Sequence, residues 1–379
     1  MTGTRSRRSR FGGRVIVFGM AVVLVLLAAC ATGRGPGTAA PPRFGNPYVV
    51  PEDTGQRVPP TYFLRRAWVQ ITRDLSRTPV PPTVPLDLQA LAARPFAVSW
   101  LGHSAMLMRV GGLWVLIDPV LSDTAGPVPG FGPARLTRLP VALKDLPPID
   151  LVLISHDHYD HLDLRTLKAL MRQAGAPPRF FVGAGLEAWF EREVGVTPLT
   201  FAWWDTATVG PVQFRFVPAQ HNSGRTPGHR NRTLWGGWTV EHEVQGRLRR
   251  FYFAGDTAYV QALFQEIRHR VGPIDLAALP IGAYQPRAAM RFEHTDPAEA
   301  VRAQADLGSP PAFGVHWATF QLGDEEPFQP ALDLAEALKA SPSSPFGVLP
   351  IGAIVDVLPE GASAAGLLPP HRMRPVPAR

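Results

Sequence analysis

His156-Asp157-His158-Tyr159-Asp160-His161 packs three imidazoles and the carboxylate of Asp160 into six residues, directly after the apolar run Leu151-Val152-Leu153-Ile154. Such a run reads as a buried strand, so the cluster sits where that strand leaves its sheet. Histidine nitrogens and aspartate oxygens with no thiolate nearby suit Zn²⁺, and also Mn²⁺ or Fe²⁺. The alternating positions His156 and His158 are placed to grip one ion. Asp160 and His161, after the chain turns, point elsewhere and are placed to hold a second.

A pair of ions needs about three more protein ligands and a shared solvent molecule. The candidates are His221, Asp256 and His316, which follow strand-like runs at 212–217, 251–254 and 312–315. Singly each has a plainer explanation. Asp256 alone would serve as a helix N-cap, and either histidine alone as an ordinary buried side chain. Joined to the first cluster, they read as one site assembled along a sheet edge.

The order H-x-H-x-D-H, a later His, G-D-T and a last His resembles that of the metallo-β-lactamase-fold hydrolases. A narrower resemblance is to the N-acylphosphatidylethanolamine-hydrolysing phospholipase D group and its bacterial relatives. It is carried by Trp100-Leu101-Gly102-His103-Ser104, Ile117-Asp118-Pro119-Val120, Pro147-Pro148-Ile149-Asp150 and Pro218-Ala219-Gln220-His221. Further blocks are Thr233-Leu234-Trp235-Gly236-Gly237-Trp238, Pro280-Ile281-Gly282-Ala283-Tyr284 and His294-Thr295-Asp296-Pro297. The resemblance implies an α/β fold, a four-layer αβ/βα sandwich. It implies two Zn²⁺, one on His156, His158 and His221, the other on Asp160, His161 and His316, with Asp256 bridging. Asp160, Asp256 and His294 would act in catalysis, while His103 and Asp118 would fix the tautomers of the ligand histidines. The implied reaction is attack by a metal-shared hydroxide on a phosphodiester of an N-acylated phospholipid. Asn222, His229, Ala288 and Ala289 depart from the group's pattern where loops would shape the acyl pocket.

The amino terminus reads as an export signal. Arg5, Arg7, Arg8, Arg10 and Arg14 precede an apolar stretch at 15–29, shorter than a membrane span needs. Leu27-Ala28-Ala29-Cys30 looks like a lipobox, and Cys30 is the single cysteine of the chain. We therefore expect residues 1–29 to be a signal, Cys30 to be lipidated, and the protein to be held on the bacterial envelope. Formal charge is +7, from 38 basic and 31 acidic side chains. Without the five signal arginines, 33 basic face 31 acidic, so charge gives no reason to expect a nucleic-acid partner. The oligomeric state is left open by the pattern.

Residues 30–60, rich in Gly and Pro without hydrophobic periodicity, read as a tether. Residues 61–95 read as an amphipathic helix over 62–75 and a connector, 96–358 as the catalytic domain, and 359–379 as a flexible tail. Within the domain, strand-like stretches at 97–110 and 113–117 flank Gly111-Gly112, a two-residue hairpin signal. Asp163 should cap a helix, and Asp296, Pro297 and Glu299 form the start signature of another, with Gly308 past its end. No repeat of fixed period is seen. The rival readings are a lactonase or other ester hydrolase on the same ions, and a non-catalytic envelope lipoprotein stabilised by metal.

Overall fold

The computed structural model describes residues 43–49, 75–226, 228–357 and 366–378. The described residues within 43–225 and 229–379 form one compact unit. The export signal, Cys30 and, but for Leu75, the helix expected over 62–75 fall outside the described residues. Among the described residues no helix is long and apolar enough to cross a membrane.

In chain order β1 is Pro79–Val80, β2 Phe96–Gly102, β3 Ala105–Val110, β4 Leu113–Ile117, β5 Leu151–Leu153, β6 Arg179–Gly183 and β7 Leu199–Phe201. Then come β8 Thr206–Val209, β9 Val212–Val217, β10 Gly237–Val244, β11 Arg247–Phe253, β12 Leu276–Pro280, β13 Ala312–Val315, β14 Phe346–Gly347, β15 Ile354–Asp356 and β16 Val376–Pro377. The helices are α1 Leu88–Ala92, α2 Leu164–Leu170, α3 Glu187–Glu193, α4 Gln261–Val271, α5 Arg287–Met290, α6 Pro297–Asp306 and α7 Gln329–Ala337.

Two seven-stranded sheets result, ordered β15-β2-β3-β4-β5-β6-β7 and β8-β9-β10-β11-β12-β13-β14. In both, the first three junctions are antiparallel and the last three parallel. Side chains alternate between faces along a strand. Phe96, Val98, Trp100, Met106, Met108 and Ile117 therefore face one way and pack with Phe214, Phe216, Trp238 and Val240 of the other sheet. Their neighbours Ala97, Leu101, Leu107 and Leu116 face the other way and pack with Leu91, Leu167, Leu170 and Phe190 of α1–α3. Strands covered on both faces are apolar throughout, which explains why 151–154 shows no alternation. On the second sheet Leu263, Phe264 and Ile267 of α4, Ala300 and Ala303 of α6 and Leu334 of α7 join the core. The four-layer sandwich is the fold the sequence resemblance implies.

Several expectations need correction. The stretch 97–110 is two strands, not one: Gly102 (φ 99°) and His103 (φ 53°) reverse the chain, so β2 and β3 form a hairpin. Residues 366–378 are not a free tail. Leu368 bridges to Val348, β16 pairs with β1, and Met373 is buried, because the apolar edge beside β14 needs cover. Nor is all of 30–60 a loose tether, since Phe44 and Tyr48 pack against the core. The strands β7 and β8 and helix α3 were not anticipated; β8 is an exposed edge strand with no large apolar side chain but Val209. The capping signals hold: Asp163 accepts from the Arg165 amide, and Asp296 with Glu299 forms a full capping box.

Candidate metal centre

Six segments converge at one end of the two sheets. The 156–161 motif follows β5, and Asp118 follows β4 with a left-handed backbone (φ 41°). His221 follows β9, Asp256 follows β11, and His316 follows β13, also left-handed (φ 63°). His103 sits in the β2–β3 turn. Strained backbone of this kind concentrates at functional sites. Helix α4 begins at Gln261 with Val260 at its N-cap, so Asp256 is not a helix cap and its carboxylate is left for the site. Gly255 makes the approach possible, since a Cβ there would lie 2.6 Å from the Gly236 carbonyl oxygen.

The side chains fall into overlapping groups able to hold a cation: His156, His158 and His221; His103, Asp160, His161 and His316; and Asp256 with either His156 and His161 or His221 and His294. In the first, His158 Nδ1 lies 2.9 Å from His156 Nε2 and 3.3 Å from His221 Nε2. In the second, Asp160 Oδ2 lies 3.2 Å from His316 Nε2, 3.3 Å from His161 Nε2 and 2.9 Å from His103 Nε2. Asp256 Oδ2 stands between them, 3.0 Å from His316, 3.2 Å from His161, 3.7 Å from His221 and 3.9 Å from His156.

Hydrogen bonds behind the rings set which nitrogen faces inward. His161 donates Nδ1–H to Asp118 Oδ2 at 2.7 Å, and Asp118 also accepts from the Ser155 amide at 2.7 Å. His221 donates Nδ1–H to the Glu293 carbonyl at 2.8 Å. Both rings thereby present Nε2 to the cluster. His294, expected to act in catalysis, is buried, with Nδ1 lacking a hydrogen-bond partner 3.9 Å from Asp256 Oδ2.

Burial lowers His221, His103 and His294 each to about 3 and holds His156 well below its usual value. These rings are neutral, with lone pairs for a cation. Burial opposes charge at His316 too, but Asp256 and Asp160 outweigh it and raise the ring to about 9. Asp160 and Asp256 are held ionised despite burial by His161 and its neighbours. The carboxylates demand positive charge between them. Asp256 Oδ1 and His161 Nε2 are buried without a hydrogen bond, as atoms kept for a divalent ion would be. The donor set, all nitrogen and oxygen, fits such an ion.

The motif's other two residues fold the following loop onto it. Asp157 accepts from the Gly224 amide at 2.6 Å and the Thr233 hydroxyl at 2.9 Å. Tyr159 donates to the Arg225 carbonyl at 2.9 Å. The Arg225 guanidinium returns bonds to the carbonyls of Asp157 and Leu162, at 2.7 and 2.8 Å, and lies over the rings of Tyr159 and Trp189. Arg225 thus braces the loop that carries the motif. Asn46, which sequence reading missed, accepts from the His221 amide. It lies 175 positions away, and only the fold joins the two.

The beta-lactamase superfamily domain matches residues 113–317. An uncharacterised protein of Mycobacterium tuberculosis is 41% identical over 280 residues, 71% of this chain and 72% of its own. The N-acyl-phosphatidylethanolamine-hydrolyzing phospholipase D 1 of Caenorhabditis elegans is 35% identical over 252 residues, 64% of this chain and 69% of its own. Among solved structures, an isothiocyanate hydrolase from Delia radicum gut bacteria shares the fold, with a TM-score of 0.54 at 16% identity over 68% of this chain and 98% of that one. Taken with the convergent histidines and aspartates, these matches make the chain a member of the metallo-β-lactamase-fold family of metal-dependent hydrolases, near the N-acylphosphatidylethanolamine-hydrolysing phospholipase D group.

Proposed function

We propose that the chain is a dizinc phosphodiesterase that hydrolyses N-acylphosphatidylethanolamine-like lipids to phosphatidate and an N-acylethanolamine. The observation that carries the reading is the single oxygen, Asp256 Oδ2, facing both ligand sets within 3.9 Å. In this reading His156, His158 and His221 would hold one ion and Asp160, His161 and His316 the other, with Asp256 available to both. Two such ions supply Lewis-acid polarisation and a water activated near neutral pH. Water oxygen joins phosphorus, the bond from phosphorus to the ethanolamide oxygen breaks, and that oxygen leaves with a proton. Asp118 and Glu293 keep the ring nitrogens of His161 and His221 in the donor pattern that leaves Nε2 free. His294, with Nδ1 unpaired beside Asp256, is placed to meet the phosphoryl group or the leaving oxygen. The lipid substrate is supported by the activity in the name of the C. elegans relative. Envelope anchoring through Cys30 would bring the enzyme to it, and Cys30→Ala should move the protein from the membrane to the soluble fraction.

The test is the zinc-loaded full chain with N-acylphosphatidylethanolamine in detergent micelles, products read by mass spectrometry against Asp160→Asn. Phosphatidate and N-acylethanolamine released by the wild type alone are expected. Intact lipid in the presence of two bound ions would contradict the substrate and turn the reading to lactones or soluble phosphodiesters.

A further inference from the structure

The metal-loop histidines take their support from close by: Asp118 holds His161, and the Ser155 hydroxyl lies 2.9 Å from His156 Nδ1. His221 is different. Its ring is held by the Glu293 carbonyl, but its backbone amide donates to Asn46 Oδ1 at 3.0 Å. The same oxygen accepts from the indole of Trp235 at 3.1 Å. Asn46 lies in the short segment 43–49, outside the 113–317 span of the family domain. That segment is fastened on both sides of Asn46. The Phe44 amide donates to the Asn231 carbonyl at 2.8 Å, and the Tyr48 carbonyl accepts from the Gln220 side chain at 2.8 Å. The Tyr48 hydroxyl donates to Glu266. Phe44 and Tyr48 are packed against the main core, so the segment is seated by its own side chains.

We infer that Asn46 is a positioning residue for His221, and that residues 43–49 are a working part of the metal site. The inference rests on the metal reading given above. His221 is buried, and a buried amide without an acceptor is costly. Two bonds at right places fix a ligand better than one: Glu293 sets the ring's tautomer, while Asn46 sets the backbone from which the ring projects. Outer supports of this kind commonly govern metal affinity. The indole of Trp235 has a second acceptor in the Ala219 carbonyl at 3.0 Å, whereas Asn46 is the acceptor given to the His221 amide.

The test uses the full chain and three variants: Asn46→Ala, Asn46→Asp and Asn46→Ser. Zinc affinity is read by competition with a chromogenic chelator, and the ligand field by the visible spectrum of the cobalt-loaded protein. Urea unfolding of chelator-treated protein gives a readout independent of metal. Asn46→Ala should weaken one of the two ions by about tenfold or more and shift the cobalt bands, and it should lower the urea midpoint modestly, as an unpaired buried amide does. Asn46→Asp keeps an acceptor oxygen and should recover most of the loss. If the alanine variant fails to fold, Asn46→Ser carries the test with the same expected drop. Wild-type affinity in Asn46→Ala or Asn46→Ser would overturn the inference. So would equal weakening and equally fallen urea midpoints in Asn46→Asp and Asn46→Ala, which together mark mere packing. A wild-type chain that takes up no zinc or cobalt would overturn the metal reading itself, and the inference with it.

Discussion

In the first sheet β4 leads to Asp118 and β5 to the 156–161 loop; in the second β11 leads to Asp256 and β13 to His316. The two sheets have the same succession of antiparallel and parallel junctions, with β4 corresponding to β11 and β5 to β12. Yet the first puts four candidate ligands into one loop, whereas the second offers His221, Asp256 and His316 from three separate strand ends. The first set is fixed by local chain geometry. The second exists only when β9, β11 and β13 stand in their proper places. Each sheet edge is incomplete alone, and Asp256 Oδ2 is where the two meet.

Asp256→Asn is the largest blow to that picture. It should empty both ion positions and reduce turnover beyond the ~10–100-fold typical of an outer support. Metal analysis alongside kcat/KM checks it; loss of one ion only would mean that Asp256 belongs to one set. His294→Ala comes next, because His294 lies on neither set of strand ends but in the turn before α6. Metal content should stay at the wild-type level while kcat falls about 100-fold. Unchanged kcat would remove His294 from the reaction. Asp118→Asn probes the first sheet's own support. It takes the carboxylate from His161 Nδ1–H and should weaken binding of the ion on Asp160, His161 and His316 by about tenfold, with the ion on His156, His158 and His221 spared. Equal weakening of both ions would show that the sets are not separable. The smallest effect should come from Trp238→Phe, which deletes the indole bond to the Ile154 carbonyl at 3.2 Å, a tie between the sheets just before the motif. A loss of about 2–3 kcal/mol in urea unfolding is expected, from the bond and from the volume removed at a fully buried site, with zinc affinity unchanged. Weakened zinc binding would mean that the tie also holds the metal loop.

The same contrast decides what could be read from the sequence. The 156–161 motif was legible because spacing of one and two residues fixes direction. His221, Asp256 and His316 were legible as strand ends, and the resemblance joined them to the motif. The twofold likeness of the sheets was not, because it is a likeness of junctions with no repeating residues behind it. The β2–β3 turn was hidden too: Gly102 and His103 look like the middle of one apolar stretch until their backbone angles are known. Arg225 and Asn46 are joined to the site by long-range hydrogen bonds that no local pattern encodes, and composition made the segment around Asn46 look like tether. The docked 366–378 segment was misjudged for the same reason, since its prolines and arginines outnumber the Leu367, Leu368 and Met373 that seat it.

The most direct measurement is anomalous diffraction at the zinc edge from crystals of the zinc-loaded chain. Two peaks are predicted on either side of Asp256 Oδ2, one among His156, His158 and His221, the other among Asp160, His161 and His316. A single peak, or peaks that leave Asp256 outside the coordination of one ion, would contradict a site shared between the two sheets.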